Sequence, residues 1–533
     1  MASGKSPIES VIREEHGRAY WFFTHVMRHG KTLMKSHWKA LVLGGLCTKI
    51  ALFLSRALIQ PYVIIVRTHM IMFLLPIAAT FALFWLLKKH EGWKLKSVFV
   101  VIYIVLGMVT FRWGEEVHTY VSLYWRHRTL TIVDLSELPE TDHERIHPLN
   151  SIYSLAHEAV ASNESLTLPH VARIGKDYEW ILAIEPALLS RITQGVTQLM
   201  KVPITATSPN FYFAKDKRVS VQFPTGEHLL LSRNSNTATI KKFGLWRYLN
   251  YEPADVMHIP DDSGNMVQVV ALIRWRGFFF PRPEFGGIQL IRQERPSVIG
   301  ELRLMLFGIG TWIPPRDIPK YPFLVGQNLL SQKVSRYIAK SFRFQEGFLA
   351  PMPGYHLNDI RIPDLPNDVN DEPFTTFFRG KEVGIPDMLY HYFALEPYDP
   401  DKQVLFISVL IPSDGSPKVY VNRHYRRGES LVGVSTVAPK VIGSRKIYEW
   451  TRNHPAEHRP FIRRIAGRKR FFWLTTVVTN KEEKGKFTAG SVPDVVLTDG
   501  KYGEPVWVDA VNPGTWVDEL IKQLGPMWNA SEK

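Results

Sequence analysis

The sequence predicts an α+β protein: N-terminal membrane-anchoring helices, two or three of them spanning, followed by a large mixed α/β soluble region with antiparallel hairpins. Three observations predict it. Charge-free apolar stretches at 70–87 and 97–111 are crowded into the first part of a 533-residue chain. From about residue 203, short runs of β-forming residues alternate with Pro, Gly and Asp turns. Between them, apolar residues recur at helical spacing.

Composition sets the outer limits. At 45% hydrophobic, 22% charged and 12% aromatic, the chain has the make-up of a folded protein and not of a disordered one. Its 65 Lys and Arg against 50 Asp and Glu give a formal charge of +15, which suits an anionic partner such as lipid headgroups or nucleic acid. Cys47 is the single cysteine, so an intramolecular disulfide and a cysteine-based zinc site are both excluded.

The membrane region is expected over 1–131. Residues 70–87 give about 18 uncharged positions, near the minimum for crossing a bilayer, and Pro76 is tolerated there. Residues 97–111 are shorter and need their neighbours to span. Trp85, Trp93 and Trp113 fall near the ends, where interfacial aromatics belong. Residues 41–66 are apolar but polar on one side. Lys49, Arg56, Gln60 and Arg67 are spaced seven, four and seven apart, which makes one narrow stripe on a helix. The stripe faces headgroups if the helix lies in the interface, or protein partners if it is a third span. Pro61 is placed to kink or end this helix. Residues 8–29 read as a further amphipathic helix on the membrane surface, without the pattern of a cleavable signal.

Lysines divide the orientation. Lys88, Lys89, Lys94 and Lys96 in the loop between the two apolar stretches favour a cytoplasmic loop and three crossings. The flanks carry Lys31, Lys35, Lys39, Lys49, Arg56, Arg67, Arg112, Arg126 and Arg128, which outweigh them. The expectation is therefore a two-span hairpin in the cell inner membrane with the large domain cytoplasmic.

In the soluble region, 134–150 reads as a linker rich in Asp, Glu, His and Pro. Helices are expected at 149–163 and 186–200, and strands at 211–214, 219–223 and 228–231. Residues 255–275 carry a hairpin signal around the turn PDDSGN. Residues 299–313 are apolar yet contain Glu301 and Arg303, as in a buried or interfacial helix, and 324–342 is an amphipathic helix. The acidic, Pro-rich 351–373 is the expected boundary between a first domain at 132–350 and a second at 374–533. Strands follow at 404–411, 418–421, 471–479, 492–498 and 506–509, with a closing helix at 517–524.

One constellation stands out. Arg423, Arg426, Arg427, Arg459, Arg463, Arg464, Arg468, Lys469 and Arg470 crowd the C-terminal part, interleaved with Tyr425, Trp450, Phe461 and Phe471. Arginine suits bidentate contacts to phosphate or carboxylate, and interleaved rings suit bases or lipid. The plain alternative is a charged face matched to an acidic partner or to the acidic segment at 359–372. No P-loop, dinucleotide fingerprint, nucleophile elbow or HExxH pattern is present, so no cofactor and no metal is expected.

These observations set the expected function. The chain reads as a non-enzymatic structural or scaffold subunit of a multiprotein membrane assembly, such as a secretion, conjugation or other envelope machine. Its partners would be membrane lipids and other subunits or further copies of itself. One alternative is a membrane-anchored enzyme acting on an anionic substrate, with His424, His458 or Asp494 as acid/base group. Another is a membrane-tethered nucleic-acid-binding protein using the same basic patch.

Overall fold

The computed structural model describes residues 46–89, 92–206, 209–244, 247–294, 297–365, 374–428, 430–445, 449–465, 467–483 and 486–508. The helices expected at 8–29 and 517–524 lie outside these residues, as does 366–373 of the acidic segment. The chain divides into two units, 1–59 and 60–533.

Three helices open the described chain. Helix α1 (Leu46–Thr68) and the Met72–Lys89 part of helix α2 (Met70–Lys89) are long and apolar enough to cross a membrane. Pro61 does not end α1, which continues to Thr68 before the turn at His69. Helix α3 (Trp93–Arg128) has two arms, Trp93–Met108 and Arg112–Arg128, that meet at 61°. Helix α2 and the first arm of α3 form an antiparallel hairpin. Thr80 is hydrogen-bonded to Tyr103 at 2.9 Å, and a Cβ on Gly114 would lie 3.2 Å from Met72 Cγ. The base of the hairpin is therefore at Met72 and Gly114, and its far end carries Lys88, Lys89, Lys94 and Lys96.

The soluble fold starts where α3 stops. Thr131–Asp134 enters a seven-stranded central sheet, in parallel with Lys418–Arg423. Ile407–Pro412, Met388–Pro397, Phe374–Arg379 and Glu140–Asp142 follow in that order, with Ile360–Arg361 beside Met388–Pro397. Strand pairing thus crosses the 351–373 segment. The stretches expected to form separate domains at 132–350 and 374–533 share one sheet.

Strand periodicity explains the two faces of this sheet. Tyr390, Tyr392 and Ala394 point to one side, where Phe374, Phe378 and Trp473 pack. Phe393 and Leu395 point to the other, against Val334 and Ile338 of the Gln332–Ser341 helix, Phe342 just after it and Ile64 of α1. The last turn of α1 is thus part of the core.

Beside a two-stranded pair, Val404–Leu405 with Leu431–Val432, three larger sheets make up the rest of the described fold. One contains Glu164–Leu166, His170–Ile174, Asp177–Pro186, Val196–Pro203 and Val219–Phe223. A second is the meander Tyr251–Pro260, Met266–Arg276, Arg282–Ile291 and Thr311–Ile313. It contains the expected hairpin, whose turn is held by Asp261 Oδ1 accepting from the Ser263 and Asn265 amides, both at 2.9 Å. The third is the meander Asn453–Ile465, Arg468–Glu483, Lys486–Asp499 and Pro505–Val508.

Several local expectations give way. Over 186–200 only Ser190–Thr193 is helical, and Val196–Pro203 is a strand. Gly195 explains the switch: a Cβ there would lie 2.0 Å from the Phe223 carbonyl, so the backbone is drawn against the neighbouring strand. Residues 211–214 lie largely in a 3-10 turn, and 228–231 forms no strand. The 324–342 helix is confined to Gln332–Ser341.

A buried charge cluster joins the segment before the Leu149–Glu158 helix to the C-terminal meander. Glu457 is fully buried and lies 3.0 Å from Arg145 and 3.6 Å from Arg459. Its Oε1 also accepts from the Leu149 amide at 2.8 Å, capping the Leu149–Glu158 helix, whose own N-cap is Pro148. A positive φ of 51° at a β-bulge aims the carboxylate inward. Removing one partner of such a cluster leaves the others charged and unpaired. Glu457→Ala is expected to cost about 3–5 kcal/mol of stability, read as a large drop in thermal midpoint of the purified full chain.

Burial also fixes the pH response. It pushes His391 down to about 3, His170 to about 4, and, together with Arg459 nearby, His458 to about 3. These rings are neutral in the fold, whereas the unfolded chain takes up protons below about pH 6.5. Stability from them is complete above pH 6.5 and is lost as pH falls toward 3–4, by about 1.4 kcal/mol per pH unit for each ring. Glu227, raised by burial to about 7, acts in the opposite sense, as do the burial-raised carboxyls of Glu179, Asp255 and Glu396, while buried His258, also lowered, acts with the three rings. The thermal midpoint is therefore expected to fall between pH 7 and pH 5, and the slope to lessen in His458→Gln.

Candidate anion-binding cleft

The basic patch is built by one hairpin and two turns. Gly467, at φ +81°, turns Asn453–Ile465 back into Arg468–Glu483, so Arg468, Lys469 and Arg470 begin the returning strand. A 3-10 turn at His424–Arg427, closed by Gly428 in the left-handed region, presents Arg427. The turn between Lys486–Asp499 and Pro505–Val508 adds Lys501 and Tyr502. Asp499 Oδ1 accepts from both of their amides, at 2.8 and 2.7 Å.

These three pieces surround a cleft of about 320 Å³. Arg427, Arg468, Lys469, Arg470 and Lys501 line it, against two carboxylates, Glu137 and Asp499. Its floor is apolar, with Leu138, Leu431, Ile462 and Phe471. The walls are tied together: the Val432 amide donates to Gly500 at 2.7 Å, and the Gly500 amide to Phe471 at 2.9 Å. Arg427 Nη2 donates to the Leu135 carbonyl at 2.6 Å, which fixes the guanidinium at the rim. Asn422 also lines the cleft. It is 1% exposed, and its Oδ1 has no hydrogen-bond partner among the described residues. A buried amide left in this way is costly unless a ligand or water completes it.

The predicted cations are largely paired within the chain, Lys469 of the cleft included. Arg423 pairs with Asp134. Arg463 meets Glu144 at 2.6 Å and Asp142 at 3.7 Å. Arg464 meets Glu382 at 3.5 Å and Glu140 at 3.6 Å, and Lys469 meets Glu137 at 2.7 Å. Arg459 is buried beside Glu457, and Arg426 lies 3.7 Å from Glu346. The acidic match is thus mainly the 134–144 stretch expected to be a linker. In the 359–372 segment, Asp359 is engaged elsewhere, by Arg343 and His356, both at 2.9 Å. Burial raises the Asp142 carboxyl, but the His143 amide and Arg379 more than offset this and hold it below the ordinary carboxylate range.

The interleaved rings are largely used inside the fold. Phe461 is fully buried, and Tyr425 stacks on Phe406 at 4.1 Å with Arg426 near its ring. Of the three acid/base candidates, His424 alone lines the cleft, its Nε2 3.0 Å from Ser408 Oγ. His458 is buried against Thr475 at 2.9 Å.

The polar stripe of α1 has a definite address over its second half. Gln60 Nε2 donates to the Tyr251 carbonyl at 2.8 Å, and Arg67 Nη2 to the Gly277 carbonyl at 2.8 Å. Arg56 donates to the Phe53 carbonyl one turn earlier and lies 3.7 Å over that ring, and Lys49 is exposed.

No family model, curated protein or solved structure matches the chain. Function is therefore read from the geometry alone.

Sequence reasoning missed Lys501, Asn422 and Asp499. The turn signal at 498–503 marks the first and third, since Asp followed by Gly and a second Gly is hairpin chemistry. Nothing in sequence marks Asn422, whose position depends on the central sheet. Charge-assisted hydrogen bonds contribute about 1.5–3 kcal/mol each, so Arg468→Glu with Arg470→Glu is expected to weaken pyrophosphate binding by tenfold or more, at about 1.4 kcal/mol per decade. Calorimetric titration of the full chain checks this.

Proposed function

We propose that the chain is a membrane-anchored, non-catalytic subunit of a multiprotein assembly, and that its basic cleft holds an anionic group of a partner subunit or a lipid headgroup. The observation that carries this reading is the convergence of Arg427, Arg468, Lys469, Arg470 and Lys501 on one concave site that holds only two carboxylates, Glu137 and Asp499. An apolar floor beneath a cationic rim suits a group that brings both charge and carbon, as an acidic side chain or a headgroup does. The apolar helices α1 and α2 support the anchor. The inner-membrane, domain-inside orientation would face the cleft toward anionic lipid and acidic cytoplasmic partners.

A second surface supports membership of an assembly. The Val298–Phe307 helix, expected to be buried or interfacial, buries only Leu304. Val298 and Ile299 are 88% and 82% exposed, and Leu302, Met305 and Phe307 are also open. The helix is fastened to the domain by its polar side, Glu301 to Arg233 at 2.7 Å, and it packs on the turn that carries exposed Leu231. An uncovered apolar face of this kind marks an interaction site in a folded protein.

Extraction of native membranes with mild detergent tests the reading. The chain is expected to migrate in a complex larger than itself, and Ile299→Asp with Leu302→Asp is expected to release it. Migration as a lone chain would count against an assembly. Retention of an enzymatic activity that is lost in His424→Ala would favour the enzyme alternative. Steeply salt-dependent binding of RNA or DNA through the cleft would favour the nucleic-acid alternative.

A further inference from the structure

Two apolar loops flank the base of the α2–α3 hairpin. Residues 277–280 form a tight turn, since Gly277 has φ +103° and a Cβ there would lie 2.7 Å from the Phe280 carbonyl. The turn thrusts Phe278 and Phe279 outward, 57% and 54% exposed and packed edge-on at 5.0 Å. The second loop, 347–357, exposes Leu349 at 58% and Tyr355 at 61%. Neither feature is explained by the core or by the cleft.

Both loops are fastened to the membrane helices. The Gly277 carbonyl accepts from Arg67, near the end of α1, and Phe280 stacks on His118 of α3 at 5.9 Å. Tyr120 donates to the Phe348 carbonyl, and its ring meets Phe348 edge-on at 5.1 Å. His118 and Tyr120 are two residues apart, which is about 200° around a helix. The loops therefore bracket α3 from opposite sides.

Their depth follows from the helix. The hairpin base is at Gly114, and His118 and Tyr120 lie four and six residues beyond it. At about 1.5 Å per residue that is a rise of at most about 6–9 Å. The 61° bend between the arms of α3 lowers the rise further. Beyond a hydrocarbon core of about 30 Å, the headgroup layer of a bilayer is about 5–8 Å thick on each side. The Met72–Lys89 helix, about 27 Å long, matches that core.

We infer that loops 277–280 and 347–357 rest in the headgroup layer of the bilayer and seat the soluble domain directly on the membrane. This rests on the reading that the α2–α3 hairpin crosses the bilayer. Lipid is the occupant because the loops are continuous with the hairpin base and lie at the depth of the interfacial layer. Aromatic side chains are the residues that layer favours, and half-exposed Trp125 on α3 adds to them.

Depth-dependent quenching tests this in the full chain. Single cysteines at Phe279→Cys, Leu349→Cys and Phe81→Cys, in a Cys47→Ser background, carry a fluorophore in phosphatidylcholine–phosphatidylglycerol vesicles. Lys402→Cys, at an exposed position, serves as the solvent reference. Labels at 279 and 349 are expected to lose emission to nitroxides near the headgroup more than to nitroxides deep in the chain. The label at 81 is expected to show the reverse, and that at 402 no loss. Quenching at 81 with none at 279 and 349 would overturn the inference while leaving the membrane hairpin intact. Absence of quenching at 81 as well would overturn the hairpin reading and the seating with it. Quenching at 279 and 349 by deep nitroxides would place the loops inside the hydrocarbon and overturn the interfacial assignment.

Discussion

The fold depends on an acidic strip, residues 134–144, held between the central sheet and the arginine-rich C-terminal meander. Its two ends are strands of the sheet, paired with Lys418–Arg423 and Phe374–Arg379. Its carboxylates take up Arg423, Lys469, Arg464 and Arg463, and Thr141 Oγ1 accepts from the Ile462 amide at 3.0 Å. The strip follows α3 within a few residues. A single short segment therefore couples the membrane helices, the central sheet and the basic meander. Exposed ion pairs contribute little to stability, but Glu144 and Arg463 are nearly buried, so here position and charge reinforce each other.

The same strip decides what the basic patch can do. A formal charge of +15 invites the view of a broad polycationic surface. The structure matches Arg423, Arg459, Arg463, Arg464 and Lys469 within the chain, and it gathers Lys469 with Arg427, Arg468, Arg470 and Lys501 around one cleft. The ligand proposed for it is accordingly a compact anionic group. An extended polyanion would need a longer cationic track and open rings, and Tyr425 and Phe461 are already stacked or buried.

Features set by local chemistry were legible in the sequence. The uncharged stretches, the 255–275 hairpin with its Asp-Ser-Gly turn and three of the four strands of the C-terminal meander follow from composition and period, while Asn453–Ile465 was not legible as a strand. Features set by remote partners were not. Val196–Pro203 is drawn into a strand by Phe223, and 351–373 does not divide the fold, because Thr131–Asp134 pairs with residues almost 300 positions away. The carboxylates that match the arginines are about as remote, and no window of sequence reveals such pairs. The polar stripe on α1 was legible as a stripe, but the contacts of its second half with Tyr251 and Gly277 required the folded domain.

The central claim is that one cleft, formed by the turns at 424–428 and 499–503 and the start of the strand Arg468–Glu483, is the anion site of this protein. Hydrogen exchange of the full chain with and without pyrophosphate tests it most directly, because it reports position without a mutation. The account predicts added protection confined to those three segments and diminishing as salt rises. Protection centred elsewhere, or no change at all, would contradict it.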